Sequence, residues 1–348
     1  MRLGRRALLA ALAAPLATPL LACGPARVVV SERPVRAEAT PVLVPAPAGR
    51  AGPPPTESAG PRTVARAAAV PARQTAAAAG RAAEVAPSPP ADDGALQRQL
   101  DRFLREQRGQ FGVAVRDLHG PVTAAYQPRE RFPLGSLFKL LLMFEVMRQV
   151  RLGVFGLTES LRTPPEYSFG EPEGGVPPGS RLTVDEALAA MIAVSSNAAA
   201  LALIELVRPA ALEAAPRRAG LVDTAIDIEP SSAPGHYTID ARGSAQDIAS
   251  LLVRLDREEL VGPDQDRRMI DLLLGQKIAD RLPALLPSDV PIAHKTADLE
   301  GFTHDAGMVY LPGRPYVLAV LAQGESPSDG KAVVAEISRL VFAYFRDA

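Results

Sequence analysis

The sequence predicts an α/β fold with two parts: an antiparallel sheet, formed from the N- and C-terminal segments and flanked by helices, and a mostly helical middle subdomain. Two observations predict it. Strand-like runs occur early, in FGVAVRDLHG and VTAAYQ, and again late, in VPIAHKTA, THDAGMVYL and RPYVLAVLAQ. Between them, apolar helices alternate with Pro/Gly loops up to about Leu274. Strands at both ends of a helical middle imply that the ends of the domain meet on one sheet.

The first predicted element is a helix that begins near Ala95. Apolar residues recur at helical spacing in LQRQLDRFLREQ, at Leu96, Leu100, Phe103 and Leu104. The turn at Gly120-Pro121 then joins the two early strands as a hairpin. Two further helices are predicted, over Ser136 to Arg151 and over Lys331 to Phe345.

The N-terminal region has the composition of an export signal followed by a tether. A positive segment precedes the apolar stretch from Ala7 to Leu21, which is too short to span a bilayer as a retained helix. The run Leu20-Leu21-Ala22-Cys23-Gly24 resembles a bacterial lipoprotein cleavage box, in which Cys23 is lipidated and becomes the mature N-terminus. Ordinary signal cleavage with an incidental cysteine is the alternative.

We therefore expect three parts along the chain. Residues 1–22 are expected to form a lipoprotein-type signal peptide, residues 23–92 a disordered Ala/Pro-rich tether, and residues 93–348 the folded domain. The expected location is outside the cytoplasm, with a lipid anchor holding the protein to the membrane of the cell envelope.

Charge and cysteine content exclude several classes of partner. The 38 Lys and Arg residues against 39 Asp and Glu give a formal net charge of −1, so the protein has no overall positive charge that would attract nucleic acid. The single cysteine excludes an intramolecular disulfide and the usual Cys/His zinc patterns. We expect no cofactor and no metal, because the spacing of His294, His304 and Asp305 matches no common metal-binding pattern.

The run GSLFKLLLMFEVM carries the first candidate for chemistry. Ser136 and Lys139 lie at i and i+3 at the start of an apolar helix, one turn apart on one face, so the lysine nitrogen can reach the serine oxygen. A serine hydroxyl needs an adjacent base to become a nucleophile, and Lys139 serves only if burial and nearby positive charge keep some of it neutral. The simpler alternative is a capped helix with an incidental lysine.

Two later segments are candidates for the same site. Ser195, Ser196 and Asn197 interrupt two apolar helices, where they form either a site loop or a helix N-cap. Lys295 and Thr296 end a strand, where they either face a ligand or protect an exposed edge strand.

Together the three segments resemble the class A serine β-lactamases and their penicillin-recognising relatives, whose motifs are S-x-x-K, S-D-N and K-T-G. Ser195 follows Ser136 by 59 residues, and Lys295 follows Ser195 by a further 100. The resemblance runs from about Ala95 to the C-terminus. It implies a β-lactamase/transpeptidase-like fold and hydrolysis of the β-lactam amide through an acyl-serine, in a protein that we expect to be a monomer.

The resemblance also implies a role for each motif residue. Ser136 would be the acylated nucleophile and Lys139 its activating neighbour. Ser195 would relay a proton to the β-lactam nitrogen. Asn197 would bind the amide of the substrate's side chain, and Lys295 with Thr296 would bind the substrate's carboxylate. The backbone N–H groups of Ser136 and Asp298 would bind the oxyanion.

The chain departs from the family motifs at three points. S-D-N has become Ser195-Ser196-Asn197, which loses the carboxylate that helps to fix the loop. K-T-G has become K-T-A, so we expect the methyl group of Ala297 to hinder substrate docking on the strand. The glutamate that activates the deacylating water in the family has its counterpart at Glu229, in an expected loop, with Asp227 as the competing candidate.

Two other functions remain as alternatives. A D,D-peptidase-like hydrolase acting on peptidoglycan peptides fits the altered glutamate segment, and an envelope-anchored binding lipoprotein of the same fold fits the altered third motif. A Ser-His-Asp triad lacks its G-x-S-x-G signature, so His294 and His304 are predicted to be structural or to lie at the rim of the site.

Overall fold

A computed structural model describes residues 94–121, 123–167, 170–230, 237–324 and 327–347. The predicted signal peptide and the whole predicted tether, including Cys23, lie outside the described residues. In chain order the elements are α1 (Ala95–Arg105), β1 (Gln110–Asp117), β2 (Thr123–Tyr126), β3 (Arg131–Pro133), a 3₁₀ turn (Gly135–Leu137), α2 (Phe138–Arg151), β4 (Ser160–Arg162), β5 (Arg181–Thr183), α3 (Val184–Ala193), α4 (Asn197–Val207), α5 (Pro209–Glu213), α6 (Ala215–Arg218), β6 (Ala225–Pro230), β7 (Tyr237–Ser244), α7 (Ala245–Asp256), α8 (Pro263–Leu274), β8 (Ile292–Leu299), β9 (Phe302–Val309), β10 (Tyr316–Gln323) and α9 (Pro327–Asp347).

The largest sheet joins the two ends of the domain, as the strand pattern predicts. Its order is β2-β1-β10-β9-β8, and the neighbouring pairs are antiparallel. Both faces are buried: in β1, Val113 and Val115 pack with helices α1 and α9, whereas Ala114 between them packs into the core on the opposite face. The alternation follows from the period of two along a strand.

The helical subdomain is organised around α2, which is apolar on nearly every side. Residues Leu140–Met147 are buried, and α4, α6 and α8 pack around them. The buried carboxylate of Glu145 lies in this helix, and it is neutralised by Arg148 at 2.8 Å and Arg218 at 3.3 Å between nitrogen and oxygen. A buried charge requires such partners.

The middle of the chain contains more strand than the sequence indicates. Strands β3, β7 and β6 form a three-stranded sheet, and β4 pairs with β5. The expected loop around Glu229 was wrong over residues 225–230, which form β6 and pair with β7. In the AIDIEP segment Ile226 and Ile228 are buried while Asp227 and Glu229 are exposed, a period of two that favours a strand.

Within the described ranges, no helix is both long enough and apolar enough to cross a membrane.

Candidate active site

The turn that carries Ser136 is fixed to the main sheet by a buried histidine. His304 on β9 accepts a hydrogen bond at Nδ1 from the Ala322 N–H, at 3.1 Å, so Nε2 carries the proton and donates to the Pro133 carbonyl at 2.8 Å. Burial lowers the pKa of His304 to about 4, so the ring is neutral in this arrangement at neutral pH. His304 therefore has a structural role, as predicted.

Gly135, directly before Ser136, lets the turn approach strand β8. Its φ of 49° is in the left-handed region that favours glycine. A Cβ atom at Gly135 would lie 3.0 Å from Cγ of Leu299 and 3.5 Å from Cβ of Ala297. The methyl group of Ala297 is thus packed against the nucleophile turn, and Ala297 is only 2% exposed. We expected this methyl group to hinder substrate docking on the strand. It is instead buried against the turn that carries Ser136.

Ser195 stands between the first two motif residues. Helix α3 ends at Ala193, and Ser195 then adopts a φ of 62°, which is uncommon for a residue with a side chain. Its Oγ atom donates to Oγ of Ser136 at 2.9 Å. Lys139 Nζ lies 3.1 Å from the same Ser195 Oγ. In place of the expected direct contact, the hydrogen bonds thus connect Lys139 to Ser136 through Ser195.

Lys139 is held at the centre of the site by three acceptors. Its Nζ donates to the carbonyl oxygen of Ser195 at 2.6 Å and to Oδ1 of Asn197 at 2.8 Å, in addition to Ser195 Oγ. Burial lowers the pKa of Lys139 well below its ordinary value, and the positive charge of Lys295 lowers it further. Both conditions that a lysine base requires are therefore met.

The third motif lies on β8 with its side chains buried. Lys295 is 0% exposed, and its Nζ donates to the carbonyl of Thr296 at 2.8 Å. Burial lowers the pKa of Lys295 to about 7, although the carboxylates of Asp305 and Asp298 oppose this shift. Thr296 is also buried and pairs with Asp305 on β9. His294 contacts the same Asp305 through Nδ1 at 2.9 Å, which makes it structural as well.

The remaining predicted residues divide into two groups. Asn197 belongs to the cluster, with Oδ1 on Lys139 and Nδ2 donating to the Gly170 carbonyl at 2.7 Å. Asp298 lies on β8 next to the nucleophile turn, with its carboxylate paired to Arg281. No hydrogen bond or ion pair among the described residues joins the carboxylate of Glu229, which is exposed on β6, directly to Ser136 or Lys139.

Two functional candidates escaped the sequence analysis. Glu171 lies in the loop before β5 and accepts hydrogen bonds from the Ser195-Ser196-Asn197 segment. Arg281 is fully buried in the connection before β8, where its charge lowers the pKa of Lys295. Neither residue belongs to a motif. For Glu171 the one available signal was that the second motif lacks its carboxylate, which indicates that another residue could supply it. The described residues contain no group of three or more His, Cys, Asp or Glu suited to a metal ion.

Comparison with known proteins places this geometry in a family. The model of the beta-lactamase enzyme family matches residues 95–345. A β-lactamase from Streptomyces albus G is 34% identical over 70% of this chain and 83% of its own. This chain belongs to the class A serine β-lactamase family. The matched residues span all three motif segments, and the match confirms the resemblance drawn from them.

Solved structures of class A enzymes and relatives have the same fold. An ancestral class A β-lactamase (GNCA) is 31% identical, with a TM-score of 0.60 over 72% of this chain and 100% of that one. The structure of PBP-A is 26% identical, with a TM-score of 0.65 over 73% of this chain and 96% of that one. These similarities confirm the predicted α/β architecture.

Proposed function

We propose that this class A family member hydrolyses the amide bond of β-lactams through an acyl-enzyme on Ser136. The observation that carries the proposal is the hydrogen-bonded path from Lys139 through Ser195 to Ser136, with Lys139 buried and its pKa lowered. The activated nucleophile argues against the non-catalytic alternative. Membership of the class A β-lactamase family favours β-lactam hydrolysis over the D,D-peptidase alternative.

The path allows a balanced acylation step. When Lys139 is neutral, Ser195 Oγ donates to its Nζ and Ser136 Oγ donates to Ser195 Oγ across the 3.1 Å and 2.9 Å contacts, the reverse of the donor directions described above. Ser136 Oγ then attacks the β-lactam carbonyl carbon while its proton passes to Ser195 and the Ser195 proton passes to Lys139. The C–N bond then breaks, and the nitrogen takes a proton from Ser195, which is resupplied by Lys139. Water subsequently cleaves the Ser136 ester and restores the hydroxyl.

Strand β8 provides the groups that would orient the substrate. We propose that Lys295 and Thr296 bind the substrate's carboxylate and that Asn197 binds the amide of the substrate's side chain. The oxyanion would lie between the backbone N–H groups of Ser136 and Asp298, supported by the close packing of Gly135 on Ala297 and Leu299. Preformed donors on a strand orient a ligand at little entropic cost.

The central test is turnover by the purified domain. We expect rapid hydrolysis of a chromogenic cephalosporin by the wild type and none by Ser136→Ala, because the substitution removes the attacking oxygen. Absorbance follows turnover, and intact mass follows the adduct with a labelled penicillin. A stable adduct without turnover favours the peptidase alternative, and a wild type that forms no adduct excludes both enzyme functions.

The carboxylate role of Lys295 predicts a basic limb in the pH profile. With a pKa of about 7 in the free protein, Lys295 is charged below this pH and becomes neutral as the pH rises. We therefore expect kcat/KM for an anionic penicillin to fall above about pH 7. Lys295→Arg keeps its charge and should shift the decline to higher pH. A constant kcat/KM from pH 6.5 to pH 9 would contradict the assignment.

We also propose Glu229 as the base for deacylation, on the strength of its family counterpart. Glu229→Gln should slow release of the acyl-enzyme by at least roughly a hundredfold, the effect typical of a lost general base. Asp227→Asn tests the competing candidate, which is exposed on the same strand, and should leave the release rate unchanged if Glu229 is the base. Single-turnover mass spectrometry measures the release rate. A rate unchanged in the Glu229 variant rules it out.

We propose, finally, that a lipid on Cys23 holds the domain, as a monomer, to the membrane of the cell envelope. The support is the signal-like segment and the cleavage box that ends at Cys23. Cys23→Ala should move the protein from the membrane fraction to the soluble exported fraction. Immunoblotting of fractionated cells measures this, and an unchanged distribution argues for ordinary signal cleavage.

A further inference from the structure

The second motif lacks its acidic residue, yet a carboxylate still lies at its loop. Glu171, from the loop before β5, accepts hydrogen bonds at Oε2 from the backbone N–H groups of Asn197 at 3.0 Å and Ala198 at 2.9 Å. Its Oε1 atom contacts Oγ of Ser196. Ser196, which stands where the family has an aspartate, is therefore itself a hydrogen-bond partner of Glu171.

The position of Glu171 is fixed by its own loop. Oε1 also accepts from the Val176 N–H at 3.0 Å, and Tyr167 Oη donates to Oε2 at 3.1 Å. Burial and this contact raise the pKa of Tyr167 to about 12, so the phenol keeps its proton and remains a donor. A Cβ atom at Gly175 would lie only 2.2 Å from Oε1, so glycine at this position leaves the space that the carboxylate occupies.

The contacts of Glu171 act on the segment that is under backbone strain. Ser195 has a φ of 62°, a conformation that persists only where the surroundings enforce it. The N–H groups of Val194 and Ser196, on either side of Ser195, donate to the Ala190 carbonyl at 3.3 Å and 3.2 Å. Glu171 holds the three residues that follow Ser195. Those residues include Asn197, and both Ser195 and Asn197 supply acceptors to Lys139.

Glu171 also affects Lys139 through its charge. The negative charge raises the pKa of Lys139 and so partly opposes the effects of burial and of Lys295. The neighbouring Gly170 carbonyl accepts from Nδ2 of Asn197 at 2.7 Å, which turns Oδ1 of that side chain toward Lys139. One short segment thus orients two of the acceptors of the lysine.

We propose that Glu171 is a positioning residue for acylation, supplying from a separate loop the carboxylate that the second motif has lost. It holds Ser195 and Asn197 in the geometry that connects Lys139 to Ser136. The inference rests on the proposed acylation of Ser136 and names a residue that this reaction requires.

The test compares acylation rates of purified full-length variants, with a labelled penicillin as the probe and intact mass as the readout. Glu171→Gln should lower the second-order acylation rate by roughly ten- to a hundredfold, because displacements of about 1 Å at a reacting group have effects of this size. Glu173→Gln is the matched control: Glu173 is exposed two residues away, and its variant should acylate at the wild-type rate.

The pH profile separates positioning from a merely structural role. Since the charge of Glu171 raises the pKa of Lys139, its removal should shift the acidic limb of the acylation rate to lower pH. A slower variant with an unshifted limb would contradict the electrostatic part of the proposal.

Relocating the carboxylate provides the decisive comparison. Ser196→Asp alone places two carboxylates in one set of donors and should be slower than the wild type. Combined with Glu171→Gln, it restores a single carboxylate at the loop and should acylate at least fivefold faster than Glu171→Gln alone, an order-of-magnitude expectation from coupled sites. A double variant no faster than Glu171→Gln overturns the proposal.

Each failure identifies its own cause. A wild type that forms no adduct contradicts the proposed function, whereas a wild type that acylates alongside an equally fast Glu171→Gln variant overturns only the role of Glu171. If Glu171→Gln does not fold, Gly175→Ala displaces the same carboxylate without removing it. That variant should also acylate more slowly, and a wild-type rate overturns the proposal.

Discussion

The buried amino group of Lys139 is the constraint on which the rest of the site depends. A lysine that is 1% exposed at the start of an apolar helix needs acceptors, and its three acceptors belong to Ser195, between α3 and α4, and to Asn197, the first residue of α4. Satisfying Lys139 therefore requires α2 and α4 to pack side by side and requires Ser195 to turn its carbonyl and hydroxyl inward. The same contacts that make burial tolerable also connect the lysine to the nucleophile.

The two altered motifs show that chemistry is preserved in space although residues differ in sequence. At the third motif, Ala297 takes the place of a glycine, and the adjoining turn has glycine at position 135 to receive the methyl group. At the second motif, a serine takes the place of an aspartate, and Glu171 contacts that serine. In both cases the volume or charge changed at one position is matched by a residue on a different element.

Cationic charge is concentrated around the proposed substrate carboxylate. Lys139, Lys295 and Arg281 are all buried. The charge of Lys295 adds to burial in lowering the pKa of Lys139, and the charge of Arg281 adds to burial in lowering the pKa of Lys295. A substrate anion would relieve the repulsion between these charges on binding. The arrangement thus favours an anionic ligand beside Lys295.

The sequence by itself determined the elements with strong periodicity and the identity of the motif residues. The early hairpin, the late strands and the helix after Ser136 follow from apolar spacing, and Ser136, Lys139, Ser195 and Lys295 follow from their order along the chain. The tertiary structure decided how these residues meet. Only packing could place Ser195 between Lys139 and Ser136, or show Glu229 on a strand rather than in a loop, because these features depend on contacts between segments that are remote in sequence. Glu171 is the clearest case: a loop glutamate has no periodic or motif signal, and its partners lie about 25 residues further along the chain.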